Sequence, residues 1–107
     1  MKLTDVIAVL KTLPFPVFYD HAPIGTKVPF ATITTEQPNN FAADNSVFME
    51  SYRVTLTCYF EKKDKTQERA VKDLLNNNSF VWSRSDVYVD DNACYAEEYT
   101  FGILAEE

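Results

Sequence analysis

Several residue types that usually mark a particular chemistry are scarce in this sequence. Its 107 residues include two glycines, two cysteines and one histidine. Two glycines, at positions 25 and 102, cannot build a glycine-rich phosphate loop. Cys58 and Cys94 are too few for a disulfide framework and too far apart for a CxxC redox or zinc pair. We expect both to be buried thiols of a protein from a reducing compartment.

Long hydrophobic runs are missing as well. No apolar stretch approaches the roughly 18–20 residues that a membrane-spanning helix needs. Asp5 interrupts the start of the chain, and no small-residue cleavage site follows a hydrophobic stretch. The sequence therefore predicts neither a membrane span nor a secretory signal.

Positive charge is in short supply. Ten Lys+Arg residues stand against 16 Asp+Glu, which gives a formal net charge of −6 at pH 7. Because phosphate binding needs clustered basic side chains, this balance argues against a nucleic-acid-binding protein. A hydrophobic fraction of 46% and an aromatic fraction of 14% exclude a disordered tail. The length fits one domain, residues 1–107, with a core of its own.

The order of helices and strands follows from hydrophobic periodicity and from the positions of the prolines. The pattern predicts a helix over 4–13 with Thr4 as its N-cap, and a second helix after an N-cap at Asp64. It also predicts five strands, over 17–19, 30–35, 47–60, 80–89 and 94–104. The order α-β-β-β-α-β-β indicates an α+β fold, a mostly antiparallel sheet of about five strands with two helices packed on one face.

The second helix has a buried stripe and charged flanks. Its predicted stripe is Ala70, Val71, Leu74 and Leu75. Glu68 and Lys72 have the spacing of an ion pair on an exposed flank. Residues 76–78 are three asparagines, which end the helix because Asn tolerates the left-handed conformation found after many helices.

No set of side chains points to catalysis. His21 lies on a predicted loop, and the sequence has no HxH, HExxH or Cys/His cluster around it. Residues 90–92, Asp-Asp-Asn, fit the turn of a hairpin. Glu97 and Glu98 point to opposite faces of a strand, so they do not form a paired acid and base. We expect no enzyme activity, no cofactor and no metal site.

Three features exceed what a simple monomeric domain needs, and one of them is the acidic excess, which also fits a simple role in solubility. The segment 37–46 is too long for a tight hairpin turn and contains Phe41, and loops of this length are usually functional or mobile. The sequence also contains six Tyr, eight Phe and one Trp. Candidates for an outer sheet face are Tyr59, Trp82, Tyr88, Tyr95 and Tyr99. They fit either a protein interface or ordinary cross-strand packing.

Four segments of the chain carry a family resemblance. They are Ala43-Asp44-Asn45 ahead of a strand with Tyr52 and Leu56, then Cys58-Tyr59-Phe60, then Lys62-Lys63-Asp64 before a charged helix, and finally two closing strands with Tyr88, Tyr95 and Tyr99. In this pattern the chain resembles the tail terminator or tail completion (head-tail joining) proteins of tailed bacteriophages and prophages.

The resemblance implies a structural protein of the virion. Such a protein is an α+β subunit that forms a homo-oligomeric ring, commonly a hexamer, which caps the tail tube, stops its polymerisation and docks to the head connector. The implied partners are copies of the chain itself, the tail tube protein and the head connector proteins, with no sequence-specific nucleic acid and no membrane. The implied location is the tail or neck of the virion, and the host cytoplasm during assembly.

Six residues in or next to the long loop are the predicted contacts with a neighbouring subunit or with the tube end: Asn39, Asn40, Phe41, Asp44, Asn45 and Phe48. The prediction rests on the length of the loop and on its exposed apolar groups. The alternative function is a small acidic protein that acts as a monomeric binding or inhibitor protein. That function favours carboxylates clustered on one face, whereas here they are spread along the chain.

Overall fold

Residues 2–37, 49–89 and 94–106 are described by the structure, a computed structural model. In these ranges lie two helices, α1 (Leu3–Leu10) and α2 (Lys65–Asn77). The strands are β1 (Val17–Tyr19), β2 (Phe30–Glu36), β3 (Met49–Phe60), β4 (Trp82–Val89) and β5 (Cys94–Glu106). They form one five-stranded sheet in the order β1-β2-β3-β5-β4. The predicted α+β class and the predicted order of elements are confirmed.

The sheet is mixed, with one parallel pair at its edge. β1 runs parallel to β2, with Val17 opposite Ala31, whereas β2–β3, β3–β5 and β5–β4 are antiparallel. Parallel neighbours cannot be joined by a tight turn, because the chain must first return to the other end of the sheet. Residues 20–29 make this return, and Asp20 enters it with a left-handed φ of 74°. The connections of the predicted strands suggested antiparallel neighbours, and β1 is the exception.

Helix α1 begins earlier than predicted. Its N-cap is Lys2, whose backbone N–H donates to Asp5 Oδ2 at 2.9 Å. The prediction of Thr4 as N-cap was wrong because the Asp5 carboxylate reaches back and satisfies a free donor one turn earlier. The helix ends at Leu10, and the next residues lead to Pro14, which disfavours helical geometry in the residue before it.

Helix α2 begins as predicted. Asp64 Oδ1 accepts hydrogen bonds from the backbone N–H groups of Thr66 and Gln67, at 2.9 and 3.2 Å. These bonds satisfy two of the donors that every helix start leaves free. The helix ends within the predicted asparagines at 76–78, but the left-handed residue that follows is Ser79, with φ of 61°.

The core lies between the two helices and one face of the sheet. Its buried side chains are Val6, Leu10, Leu13, Phe15, Ala31, Ile33, Val54, Leu56, Cys58, Phe60, Val71, Leu75, Phe80, Tyr99 and Phe101. Both helices contribute to this one cluster, which confirms that they pack on the same face. We call it the helix-covered face. The other face, which carries Thr32, Thr57 and Thr100 by strand alternation, is called the open face.

Candidate functional site

The six predicted interface residues lie outside the described part of the chain: Asn39, Asn40, Phe41, Asp44, Asn45 and Phe48. Residues 90–92 also lie outside it. The described neighbours show where the long loop is attached. β2 ends at Glu36, which is opposite Arg53, and β3 begins at Met49, which is opposite Glu106. The described residues on either side of this segment therefore lie toward one end of the sheet, and the role of the segment as an interface remains a prediction.

The open face of the sheet is rich in hydroxyl groups. Thr32 lies opposite Thr57, and Thr34 lies opposite Thr55. Thr55 is in turn opposite Thr100, and their Oγ1 atoms are 3.4 Å apart. Paired threonines across strands stabilise a sheet. Thr32 and Thr57 are buried, whereas the exposed Thr34 keeps a hydroxyl able to donate and to accept. Among the described helices, neither packs on this face.

The predicted aromatic outer face is largely wrong. Tyr59 does lie on the open face and stacks on Phe30 at 4.7 Å between ring centroids. Tyr99 is fully buried on the helix-covered face, and Trp82 donates its Nε1–H to Asn76 of α2 at 3.0 Å. Tyr95 has the same strand parity as Tyr99, and its ring lies 5.6 Å from the Nζ atom of Lys63. The side chain of Tyr88 lies outside the described residues.

A cleft of about 840 Å³ lies where residues 20–28 pass one end of the open face. Its sheet side is formed by strand residues of the open face: Phe30, Thr32, Thr34, Thr57, Tyr59 and Cys94. The volume falls in the range of roughly 300–1,000 Å³ that small-molecule sites occupy. The cleft is open to solvent, and its lining combines hydroxyl groups and two aromatic rings with the ionisable side chains of Asp20, His21, Lys27 and Glu61. It is suited to hydrogen bonding and stacking.

Among the ionisable side chains at the cleft, His21 pairs with Asp20. His21 Nδ1 lies 3.1 Å from Asp20 Oδ2, and both side chains are largely exposed. In the described ranges, no hydrogen bond joins His21 to a hydroxyl or thiol, which a histidine base would need to activate a nucleophile. Nor do the described residues contain a group of three or more His, Cys, Asp or Glu side chains that could hold a metal ion.

A charged network lies on the helix-covered face beneath α2. Arg84 of β4 donates to Glu68 of α2 and, at 3.1 Å, to Asp86 of its own strand. Its Nη2 atom is also 3.6 Å from Glu97 Oε1 of β5. Lys72 Nζ donates to Glu68 at 2.8 Å. The predicted pair of Glu68 and Lys72 is thus confirmed, although Glu68 is 18% exposed and belongs to a partly buried cluster.

Burial dominates the electrostatics of Glu97. Its side chain is 1% exposed, and its Oε2 atom is buried without a hydrogen-bond partner. Burial raises the pKa of Glu97, while the charge of Arg84 and a 3.2 Å hydrogen bond from Tyr99 oppose that rise. The hydrogen bond from Lys72 is the main cause that lowers the pKa of Glu68. The pKa values of the two carboxyls are therefore shifted in opposite directions, upward for Glu97 and downward for Glu68.

Sequence reasoning missed this network. The prediction that Glu97 and Glu98 point to opposite faces is confirmed, because Glu97 is buried and Glu98 is only half-buried. The spacing of Arg84 and Asp86 on one strand was a usable signal, since residues two apart share a face. The register that sets Asp86 opposite Glu97 is a tertiary feature. The network joins α2 to two strands, which assigns it a structural role in holding the helix on the sheet.

No family model and no curated protein matches this chain. Among the described residues, no helix is long and apolar enough to cross a membrane.

Proposed function

We propose that this chain is a structural subunit of a phage tail, a tail terminator or head-tail joining protein. In this function it forms a ring, commonly a hexamer, that caps the tail tube, stops tube polymerisation and docks to the head connector. The resemblance of segments 43–45, 58–60 and 62–64 suggests the family. The observation that supports a docking function is the open face of the sheet.

The open face has the properties of a contact surface. Thr34 is exposed, and Thr55 and Thr100 are half-buried, so their hydroxyls are available to another protein. Small hydroxyl side chains on a sheet form a shallow surface with donors and acceptors, and protein interfaces carry about one hydrogen bond per 100–200 Å². We infer that contact with another protein is the use that these hydroxyl groups favour.

The charge of the chain also fits a ring through which DNA passes. The net charge of −6 disfavours tight binding to phosphates, since like charges repel. A subunit of this kind lets the genome move past it without holding it. The same charge helps to keep free subunits in solution before assembly.

The test is assembly in the presence of tail tube protein. We would measure the mass of the purified chain alone and after mixing with tube protein, and examine the mixture by electron microscopy. Thr34→Lys places a charge on the open face, and Thr66→Lys makes the same change at an exposed position of α2. We expect rings on tube ends with the wild type and with Thr66→Lys, and at least about tenfold weaker association with Thr34→Lys.

The outcomes separate the two functions. A chain that stays monomeric at high concentration and ignores the tube protein contradicts the ring function and favours the small acidic binding or inhibitor protein. Equal association by both lysine variants removes the open face from the contact but leaves the ring function standing.

A further inference from the structure

Strand β4 forms a long outer edge of the sheet. Within the described residues its backbone pairs with β5 alone, and it runs for eight residues. β1, at the opposite edge, has three residues. An outer strand presents unpaired N–H and C=O groups that act as a template for another strand. The long edge of β4 therefore needs either a blocking device or a partner.

The side chains of β4 select a register. The strand contains no proline, and Ser83 and Ser85 are short, exposed side chains on the open face. On the other face, Arg84 and Asp86 carry opposite charges two residues apart. Charges on an edge strand usually prevent pairing. When a strand carries opposite charges at this spacing, some pairing registers with a second strand bring like charges together and are disfavoured, and one register brings opposite charges together and is favoured.

We propose that β4 pairs antiparallel with β4 of a second copy of this chain, about a two-fold axis at Ser85. Each Arg84 then lies opposite Asp86 of the partner subunit, and the two five-stranded sheets become one. Cross-strand pairs of opposite charge stabilise an antiparallel ladder.

The neighbouring registers are less favourable. In a continuous sheet, opposite residues share a face, so the axis of an antiparallel two-fold pair passes through a residue position. An axis at Arg84 places Arg84 opposite Arg84 of the partner subunit. An axis at Asp86 places Asp86 opposite Asp86 of the partner subunit. Like charges directly opposite each other destabilise the pair. The axis at Ser85 keeps residues 82–88 in the ladder and forms two pairs of opposite charge.

Within one chain Arg84 Nε already lies 3.1 Å from Asp86 Oδ1, so the pair of copies brings a second carboxylate to each guanidinium. One further observation fits this pair. Val81, directly before β4, is 89% exposed and apolar. Continuing the ladder by one residue sets Val81 opposite position 89 of the partner subunit and removes part of its surface from water.

The pair goes beyond the proposed function. A two-fold contact closes after two copies, whereas a ring requires head-to-tail contacts. The pair is therefore a state of the free subunit that covers an edge prone to aggregation. The proposal of this dimer can be tested independently of the proposed ring on the tail tube.

The test uses two matched cysteine variants of the full chain. Ser85→Cys and Ser83→Cys change exposed serines on the same face of the same strand. At the axis, the two substituted positions at 85 have Cα atoms about 4.5–5.5 Å apart, within the range of a disulfide. In the same register, position 83 lies opposite position 87 of the partner subunit. The two copies of position 83 are therefore separated by four residues along the strands, or about 13 Å. Native Cys58 and Cys94 are buried, and the wild type serves as the background.

We expect concentration-dependent dimers of the wild type by sedimentation, and a disulfide-linked dimer of Ser85→Cys under mild oxidation, with Ser83→Cys at wild-type background. Ser85→Lys sets like charges opposite each other and should raise the dimer dissociation constant roughly two- to fivefold, while Ser83→Lys leaves it unchanged. A chain that remains monomeric at millimolar concentration overturns the proposal. Equal crosslinking of the two cysteine variants overturns it as well. Circular dichroism confirms that each variant is folded, and neither result depends on tube protein.

Discussion

Glu97 and Arg84 face each other beneath α2, with Glu97 Oε1 3.6 Å from Arg84 Nη2. They come from adjacent strands, and Arg84 also contacts Glu68 of the helix. One guanidinium therefore holds a buried carboxylate on the sheet and a carboxylate of the covering helix. Removing either carboxylate changes how the stability of the fold depends on pH.

Glu97→Gln should flatten the fall in stability with rising pH. Burial raises the pKa of Glu97 in the folded chain above its value in the unfolded chain. The stabilisation that this proton provides is complete below the unfolded pKa, near 4.3 for a typical Glu, and is lost as pH rises through the folded pKa. The free energy of unfolding of the wild type should therefore fall relative to the variant across that range. Urea unfolding at a series of pH values measures it.

Glu98→Gln is the matched control, because it removes a carboxylate one residue along, on the open face. Parallel stability curves for the wild type and Glu97→Gln would mean that the buried carboxyl titrates alike in the folded and unfolded chains, against this account.

Glu68→Gln should have the opposite effect. The hydrogen bond from Lys72, aided by Arg84, lowers the pKa of Glu68. Its contribution is present above the unfolded pKa and is lost as pH falls through the folded pKa. At pH 7 we expect a loss of roughly 1–2 kcal/mol in the free energy of unfolding, shrinking toward acid pH. Asp73→Asn, on the exposed side of α2, is the control. A loss that is constant across pH would argue against the ion pairs.

Cys58 should be inert in the folded protein. Cys58 and Cys94 are both buried and unpaired, and burial is the main cause that raises the pKa of both thiols. Because the thiolate is the reactive form and Cys94 lines the open cleft, a thiol reagent should leave Cys58 unlabelled under native conditions, label Cys94 more readily, and label both in urea. Fast labelling of Cys58 in the native protein would contradict its place in the core.

The alternating strand and the capped helix could be predicted because their signals are local. Val54, Leu56 and Cys58 repeat every second residue and are all buried. Asp64 is followed by the residues whose N–H groups it accepts. Such features need no knowledge of distant parts of the chain.

The parallel β1 and the buried Glu97 could not be predicted because they depend on distant parts of the chain. A three-residue strand has no pattern that tells its direction, and its partner Ala31 lies beyond a loop. The alternation of residue types around Tyr99 does not distinguish a buried tyrosine from an exposed one. What buries it is the register that places it between Leu56 and Arg84. The same register brings Glu97 to Arg84.

The long loop should be needed for assembly and dispensable for folding. We would replace residues 39–45 with an equal number of Gly and Ser residues, which keeps the connection between β2 and β3. The thermal midpoint should change little, because loops of equal length close at a similar entropic cost. Ring formation with tube protein should be lost, because the variant lacks Phe41 and its polar neighbours. Unchanged assembly would remove Asn39, Asn40, Phe41, Asp44 and Asn45 from the interface.

Tail length in a phage that encodes this chain tests the proposed function most directly. With the gene deleted, we expect tubes that grow past their normal length and carry no head, and complementation by the wild-type chain should restore both length and joining. Tails of normal length joined to heads in the deletion strain would contradict the function.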